Sequence, residues 1–302
     1  MSQEGFFTRY QNHIAIHVIV LIWGFTGILG KVISIPFYSL VWFRMAIAFL
    51  SLIIYFKLFR KGGTISLRYI PQILGVGLLV AAHWAAFFEA LKVSTVSVVL
   101  TTLASTSLFV ALIEPLFFKR RVRLYEVIFG VIVISGLFLI FQFEADYHLG
   151  IMLSLLAALL AALFGVINGR LVEKAPPGQI TLYEMLGGVL GISIYTVLFE
   201  NWSWADFQPT SLDWIYLLVL GVICTAVAFV VSVQVLRELS PFTVSMSINM
   251  EPIYAIILAL IFFGDSERMT PGFYAGALLI LGTVLANGLV KARINRKNRR
   301  AD

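Results

Sequence analysis

Charged residues divide this sequence into ten apolar stretches, each about long enough to cross a lipid bilayer as a helix. Seven stretches contain no charged residue, namely 10–30, 69–88, 93–113, 127–143, 147–169, 214–236 and 269–290. Three more contain one charge each: 37–56 with Arg44, 178–199 with Glu184, and 241–263 with Glu251. An apolar helix of about 20 residues matches the ~30 Å hydrocarbon core, so the pattern predicts ten transmembrane helices.

The composition agrees with a chain that lies almost entirely in lipid. Of 302 residues, 60% are hydrophobic and only 13% are charged, against about 25% charged in soluble domains. The net charge of +6 lies in short loops and the tail, which argues against a nucleic-acid partner. The sequence therefore predicts an all-α integral membrane protein of the cell (inner) membrane, with its first apolar stretch kept as a helix rather than cleaved as a signal.

The basic residues also predict an orientation. Eighteen of the 22 Lys and Arg fall on one side of the predicted spans, at positions 9, 57–68, 119–123, 170–174, 237 and 291–300. Only Lys31, Lys92 and Arg268 fall on the other side. Because loops rich in Lys and Arg stay in the cytoplasm, both termini are predicted to be cytoplasmic.

The two halves of the sequence resemble each other at a nearly constant offset of 140 to 146 residues. Aligned pairs are Trp23-Gly24 with Phe164-Gly165, Phe43-Arg44-Met45 with Tyr183-Glu184-Met185, Leu91-Lys92 with Leu236-Arg237, and Phe117-Phe118 with Phe262-Phe263. Each half holds five predicted spans, and because five is odd, the second half must enter the membrane from the opposite side. The pattern predicts two inverted five-helix repeats, at 14–143 and 147–290, followed by a basic cytoplasmic tail at 291–302.

Several short motifs resemble the drug/metabolite transporter superfamily, in particular its ten-span EamA-type members. They are Trp23-Gly24, Lys31, Phe43-Arg44, Ala90-Leu91-Lys92, Glu251-Pro252, Phe262-Phe263-Gly264-Asp265, Thr270-Pro271 and the run from Gly276 to Gly282. The sequence departs from the family pattern at Lys119-Arg120-Arg121, where Gly-Asp/Glu-Arg is usual. The resemblance implies export of small metabolites through a central cavity between the halves, and it leaves the substrate open.

Arg44 and Glu251 are the strongest candidates for function. A charge inside a span should face a cavity or a partner, because its insertion costs at least ~2.5–3.5 kcal/mol. Arg44 suits a substrate carboxylate, and an ion pair with Glu89 is the alternative. Glu251 lies near mid-depth, where lost hydration favours the protonated form, so it is the predicted proton-coupling residue. The alternative for Glu251 is a neutral, hydrogen-bonded acid at a kink made by Pro252.

Other intramembrane polar and aromatic residues are secondary candidates. Glu184 is the repeat mate of Arg44 and is predicted to contact the substrate or a gate, with snorkelling to the interface as the alternative. His83 is a candidate for substrate binding or proton relay, and packing is equally compatible with it. Trp23, Trp84 and Asn249 are the remaining predicted substrate-binding residues, each with helix packing as its alternative.

One buried cation and several buried acids favour a zwitterion, so the predicted function is secondary export of a small polar metabolite such as an amino acid. The alternative within transport is a broad exporter of apolar or cationic compounds that uses aromatic walls. An intramembrane enzyme or scaffold is disfavoured, because the sequence contains no paired nucleophile and base and no metal-ligand cluster. The expected partners are the substrate, protons and the lipid bilayer, with no cofactor or metal, and the chain is compatible with a monomer or a homodimer.

Overall fold

The structure, a computed structural model, describes residues 6–59, 63–119, 122, 124–248 and 250–298. Every regular element within these ranges is helical, which confirms the all-α prediction. The α-helices are α1 (Phe6–Val32), α2 (Phe37–Phe59), α3 (Ile70–Val93), α4 (Val96–Leu103), α5 (Thr106–Phe118), α6 (Leu124–Phe143), α7 (His148–Leu171), α8 (Pro177–Phe199), α9 (Ser211–Leu218), α10 (Ala228–Val235), α11 (Pro241–Ile248), α12 (Glu251–Phe263) and α13 (Pro271–Asn298). A π-helical segment, Val219–Val227, joins α9 to α10 without interruption.

Seven helical segments of the described chain are long and apolar enough to cross a membrane. They correspond to α1, α2, α3, α4 with α5, α7, α8, and α9 through α10. Shorter apolar helices cover Val127–Phe143 and Pro271–Thr283, and α11 with α12 fills the remaining predicted span. Large apolar side chains such as Leu116 and Leu278 are about three-quarters exposed, as expected of a lipid-facing surface. The molecule is therefore a multi-pass membrane protein.

Two of the predicted spans are interrupted halfway, which the hydropathy pattern did not predict. The first break separates α4 from α5 at residues 104–105, and the second lies between the end of α11 at Ile248 and the start of α12 at Glu251. The two breaks are 145 residues apart, within the offset of the internal repeat. The half-helices pack in crossed pairs, α4 on α12 and α5 on α11, so the breaks lie next to each other inside the bundle. Paired discontinuous helices in corresponding positions are typical of inverted-repeat transporters.

Glycines permit the closest helix crossings in the molecule. At the crossing of α3 and α8, a Cβ on Gly77 would collide with the backbone of Glu184 and Gly188, and a Cβ on Gly187 would collide with the backbone of Leu74. At the crossing of α6 and α13, Gly136 and Gly276 each face the other's carbonyl oxygen. Small residues at such contacts allow backbones to approach where lipid provides no hydrophobic driving force.

The close crossing of α3 and α8 predicts that alanine substitution of two glycines on α3 has different effects on thermal stability. Gly77→Ala should lower the unfolding temperature in detergent or reduce folded yield, because the added methyl group overpacks a backbone contact at a cost of about 1–3 kcal/mol. Gly75→Ala is the matched control, since a Cβ there meets no atom within 4 Å. Equal melting temperatures for the two variants would contradict the close packing.

Candidate functional site: a central cavity

The helix bundle has two ends, which we name after Lys31 and Arg170. At the Lys31 end, the Lys31 Nζ donates hydrogen bonds to the carbonyls of Leu91, at 2.9 Å, and Ser94. The Lys92 Nζ in turn donates a hydrogen bond to the carbonyl of Ile33. These bonds join the α1–α2 connection to the α3–α4 connection and close this end within the first repeat.

Buried acids close the Lys31 end further, by joining the two repeats. Glu267 accepts hydrogen bonds from the backbone N–H groups of Val96 and Ser97, at 3.0 and 2.9 Å, so it caps the N-terminus of α4. Asp213 accepts from the backbone N–H and hydroxyl of Ser34, at 2.9 and 2.6 Å. Sequence analysis did not predict these roles, because the partners are about 170 to 180 residues away along the chain.

The central cavity lies between mid-depth and the Arg170 end. It has a volume of about 140 Å³, and its lining extends to Asn168, Leu236 and Pro241 near that end. Among the described residues, the lining includes none of the connections at the Lys31 end. Both helix breaks reach the cavity, through Ala104 and Glu251. The cavity is therefore closed at the Lys31 end and extends toward the Arg170 end.

The cavity wall combines aromatic rings with a few polar groups. The aromatic lining residues are Trp23, Trp84, Phe87, Phe164 and Phe229. The polar lining residues are Thr26, Arg44, His83, Thr106, Asn168, Ser232 and Glu251. A mostly apolar pocket with a few convergent polar groups is the usual construction of a small-molecule site.

Arg44 is buried in this wall and is held on two sides. Its Nε donates to the hydroxyl of Thr225 at 2.7 Å, and its guanidinium carbon lies 3.8 Å from the centroid of the Trp84 ring. Its terminal nitrogen Nη1 has no hydrogen-bond partner among the described residues. No ion pair joins Arg44 to Glu89, although the structure describes both, so that alternative is not supported. Arg44 therefore has unused hydrogen-bonding capacity at the cavity.

The π-helical segment positions Thr225, the hydrogen-bond partner of Arg44. The Thr225 hydroxyl also donates to the carbonyl of Leu220, five residues earlier, at 2.7 Å. The Trp23 indole N–H donates to the carbonyl of Cys224 at 3.0 Å, so the same segment also holds α1. Wide π turns occur often at functional sites because they redirect side chains and backbone groups. Thr225 is a residue of the site that sequence analysis missed.

Glu251 is the first residue of α12, directly after the second break, and is 7% exposed. Its carboxyl group is close enough to Arg44 for the two charges to interact across the cavity. The interpretation of Pro252 as a kink is wrong, since Pro252 lies in the first turn of a half-helix. There the missing N–H removes no helical hydrogen bond. The start of a helix also favours a negative charge, so the break itself provides a site for the carboxylate.

His83 and Trp84 lie side by side on the cavity wall. The His83 Nδ1 donates to the carbonyl of Ala157 at 2.8 Å, so in the neutral form of the ring Nε2 is the acceptor. The His83 ring also packs edge-on against Phe164, with centroids 5.4 Å apart. Trp84 packs similarly against Phe229, at 5.8 Å.

The structure does not show the other two predicted site residues, Glu184 and Asn249, on the cavity wall. Glu184 is fully buried and is not among the cavity-lining residues, so it does not snorkel to the interface. Asn249 lies outside the described residues. The structure thus brings Trp23, Arg44, His83, Trp84 and Glu251 together on one cavity, while their roles in binding stay predictions.

Comparisons with known proteins agree with this architecture. The model of the EamA-like transporter family matches residues 12–142 and again residues 148–288. An uncharacterized transporter of Bacillus subtilis (strain 168), YxxF, is 24% identical over 277 residues, covering 87% of this chain and 86% of the relative. An uncharacterized transporter of Archaeoglobus fulgidus is 24% identical over 151 residues, covering 50% of this chain and 52% of that relative.

A solved crystal structure shares the fold. It matches with a TM-score of 0.68 and 16% identity, covering 93% of this chain and 98% of the other. Two matches to one family model, in tandem, agree with the internal repeat that the sequence predicts. The chain belongs to the EamA-like transporter family, within the drug/metabolite transporter superfamily, and is a membrane transporter.

Proposed function

We propose that the protein exports a small zwitterionic metabolite, such as an amino acid, by alternating access coupled to protons. The observation that carries the proposal is that Arg44 and Glu251 line the same cavity with opposite charges. The unpartnered Nη1 of Arg44 suits a carboxylate, and Glu251 suits an ammonium group. A substrate that bridges the two would offset the desolvation of both charges.

Alternating access is supported by the unequal ends of the bundle. Lys31, Lys92, Asp213 and Glu267 hold the Lys31 end closed by hydrogen bonds between separate connections, while the cavity extends toward the Arg170 end. In a ten-span protein built from two inverted repeats, exchange of the two repeat conformations produces the opposite state. Opening the Lys31 end would then require these hydrogen bonds to break and equivalent contacts to form at the other end.

The proposed orientation follows from the charge distribution. The Arg170 end holds most of the loop Lys and Arg residues, so we place it, with both termini, in the cytoplasm of the cell (inner) membrane. The described conformation is then the one that loads substrate from inside. A driving force is needed because export against a gradient is not spontaneous, and protons are the proposed source.

Glu251 is the proposed site of proton coupling within the cavity. An acid at this depth exchanges between a neutral form and a charged form that pairs with Arg44 or with the substrate's ammonium group. Proton and substrate therefore compete for one carboxyl group, which is the minimal requirement for exchange transport. The His83 Nε2, left as an acceptor, is a second position for a proton in transit.

A second candidate function is broad export of apolar or cationic compounds. The five aromatic residues of the cavity wall favour it, because aromatic rings accept apolar bodies and organic cations with little discrimination. In this case Glu251 would attract the cation and Arg44 would serve only to hold the helices. The two functions differ in whether transport requires a carboxylate on the substrate.

Orientation is the first prediction. Cysteines at Asp146 and Lys174, both exposed and at opposite ends, are introduced in a Cys224→Ala background. A membrane-impermeant thiol reagent applied to intact cells should label Asp146→Cys, and should label Lys174→Cys only after permeabilisation. The reverse pattern would place both termini outside and contradict the proposed orientation.

The substrate contact is the second prediction. In proteoliposomes tested against a panel of amino acids and their decarboxylated amines, Arg44→Lys should lower transport efficiency for the amino acids. A lysine keeps the charge but loses the planar fork, so we expect a loss of about 10- to 100-fold. Arg268→Lys is the matched control, since Arg268 is exposed and pairs with Asp265 near the surface. Transport of the amines alone, unaffected by Arg44→Lys, would favour the broad exporter.

Proton coupling is the third prediction. Glu251→Gln imitates the protonated acid in size and polarity, so it should fold and lose accumulation driven by an imposed pH gradient. Glu173→Gln, a surface substitution, is the control and should behave like the wild type. Retained gradient-driven transport in Glu251→Gln would show that the coupled proton binds elsewhere.

A further inference from the structure

Glu184 is a buried acid that the cavity does not use. Its side chain is 0% exposed, and neither of its carboxyl oxygens has a hydrogen-bond partner among the described residues. Asn168 is 2% exposed, and its side chain lies within reach of Glu184. The Oδ1 of Asn168 is also without a partner in the described chain. Three buried acceptor oxygens thus lie close together, and the donor near them is the amide nitrogen of Asn168.

Such a group of oxygens is unstable as an anion. A buried carboxylate is costly unless it is paired with a cation or satisfied by hydrogen bonds, and here no described cation pairs with it and only the amide of Asn168 is within reach. A single proton removes both problems, because it neutralises Glu184 and turns one carboxyl oxygen into a donor. Asn168 can accept that hydrogen bond through Oδ1, or donate to the charged form through its amide nitrogen after rotating its side-chain amide.

The helices around Glu184 supply no competing charge. α8 packs mainly against α3, α2 and α10. On α3 the contact is the backbone at Gly77, and the ionisable residue at mid-helix, His83, is bonded to Ala157. On α2 the buried cation, Arg44, is bound to Thr225 and stacked on Trp84. The other ionisable residues of these helices lie toward their ends: Tyr38, Tyr55 and Lys57 on α2, and Glu89 and Lys92 on α3; α10 contains none.

We propose that Glu184 and Asn168 form a proton-binding site separate from the Arg44–Glu251 cavity. Proton binding transfers a proton from a hydronium ion in cavity water to a Glu184 carboxylate oxygen, and release is the reverse transfer to water. Asn168 provides the route, because it lines the cavity while its side chain adjoins Glu184. A metal ion is a poorer occupant, since hard cations favour six or more oxygen ligands and only three are grouped here.

The inverted repeat gives this site a role in transport, and this step rests on the proposed function. Glu184 is the mate of Arg44, which faces the cavity in the described state. When the repeats exchange conformations, Glu184 should take the position that the two-fold axis of the repeat relates to the present position of Arg44, and meet water from the Lys31 end. A proton would then be taken up from that side while the substrate leaves, and be released through Asn168 to cavity water when the cavity again faces the Arg170 end.

The proposal can be tested without a substrate. Infrared difference spectra of the purified full chain in lipid nanodiscs, recorded between neutral and alkaline pH, should contain the C=O stretch of a protonated carboxyl from Glu184. That band should shift in D₂O, disappear in Glu184→Gln, and change frequency in Asn168→Leu, which removes its hydrogen-bond partner. Glu251→Gln is the matched control and should leave the Glu184 band in place.

Specific results would overturn the site. If Glu184→Gln leaves every carboxyl band unchanged, Glu184 is ionised and the proposal is wrong. If replacing sodium by choline in the buffer produces the spectral change at constant pH, a metal ion occupies the site instead. Should Glu184→Gln fail to fold, Glu184→Asp keeps the acid and should shift the band rather than delete it, and an unshifted band contradicts the assignment.

The infrared result and the transport assay can fail independently. A Glu184 band in a protein that transports no compound of the panel would support the proton site and reject the proposed substrate class. Where an amino acid is transported, Glu184→Gln should lose accumulation driven by a pH gradient and keep substrate exchange at equal pH. Full gradient-driven accumulation by this variant would show that the bound proton has no part in coupling.

Discussion

Lipid supplies no hydrogen-bond partner to a backbone N–H or carbonyl group, and this constraint organises the whole molecule. A helix can be interrupted at membrane depth only where protein or a water-accessible cavity surrounds the interruption. The breaks after α4 and after α11 meet this requirement, because Ala104 and Glu251 both reach the central cavity. The need to satisfy broken helices therefore decides where the cavity lies. At the Lys31 end of α4, Glu267 and Thr95 accept hydrogen bonds from backbone N–H groups of the first turn, which satisfies donors that have no partner within the helix.

Arg44 shows how a charge can be kept inside such a bundle. The guanidinium is desolvated, yet it is stabilised by the Thr225 hydroxyl and by the face of Trp84. A cation over a tryptophan ring in a dry environment gains about 2 kcal/mol, which is comparable to the cost of placing a charge in a span. Neither contact neutralises the positive charge of Arg44, so a carboxylate can still form an ion pair with it. An ion pair with Glu89 would have neutralised this charge.

The two intramembrane acids differ because their surroundings differ. Glu251 begins a half-helix and faces Arg44 across the cavity, so its charged form has two sources of stabilisation. Glu184 lies within a continuous helix behind the wall, where only the amide of Asn168 is near. The same chemical group is therefore suited to an ionic contact at one position of the second repeat and to holding a proton at another.

The sequence by itself determined the helical membrane class, the internal repeat, the family and five of the residues that meet at the cavity. Hydropathy, charge and residue spacing are properties of the chain that are visible without its fold. Only the tertiary structure decided that Glu251 starts a half-helix, that Glu184 lies behind the wall, and that Asp213 and Glu267 are buried caps. A helix break leaves hydropathy unchanged, and a contact such as Arg44 with Thr225 joins residues 181 positions apart. Such features depend on which helices pack together, and that information is not local to any segment of the sequence.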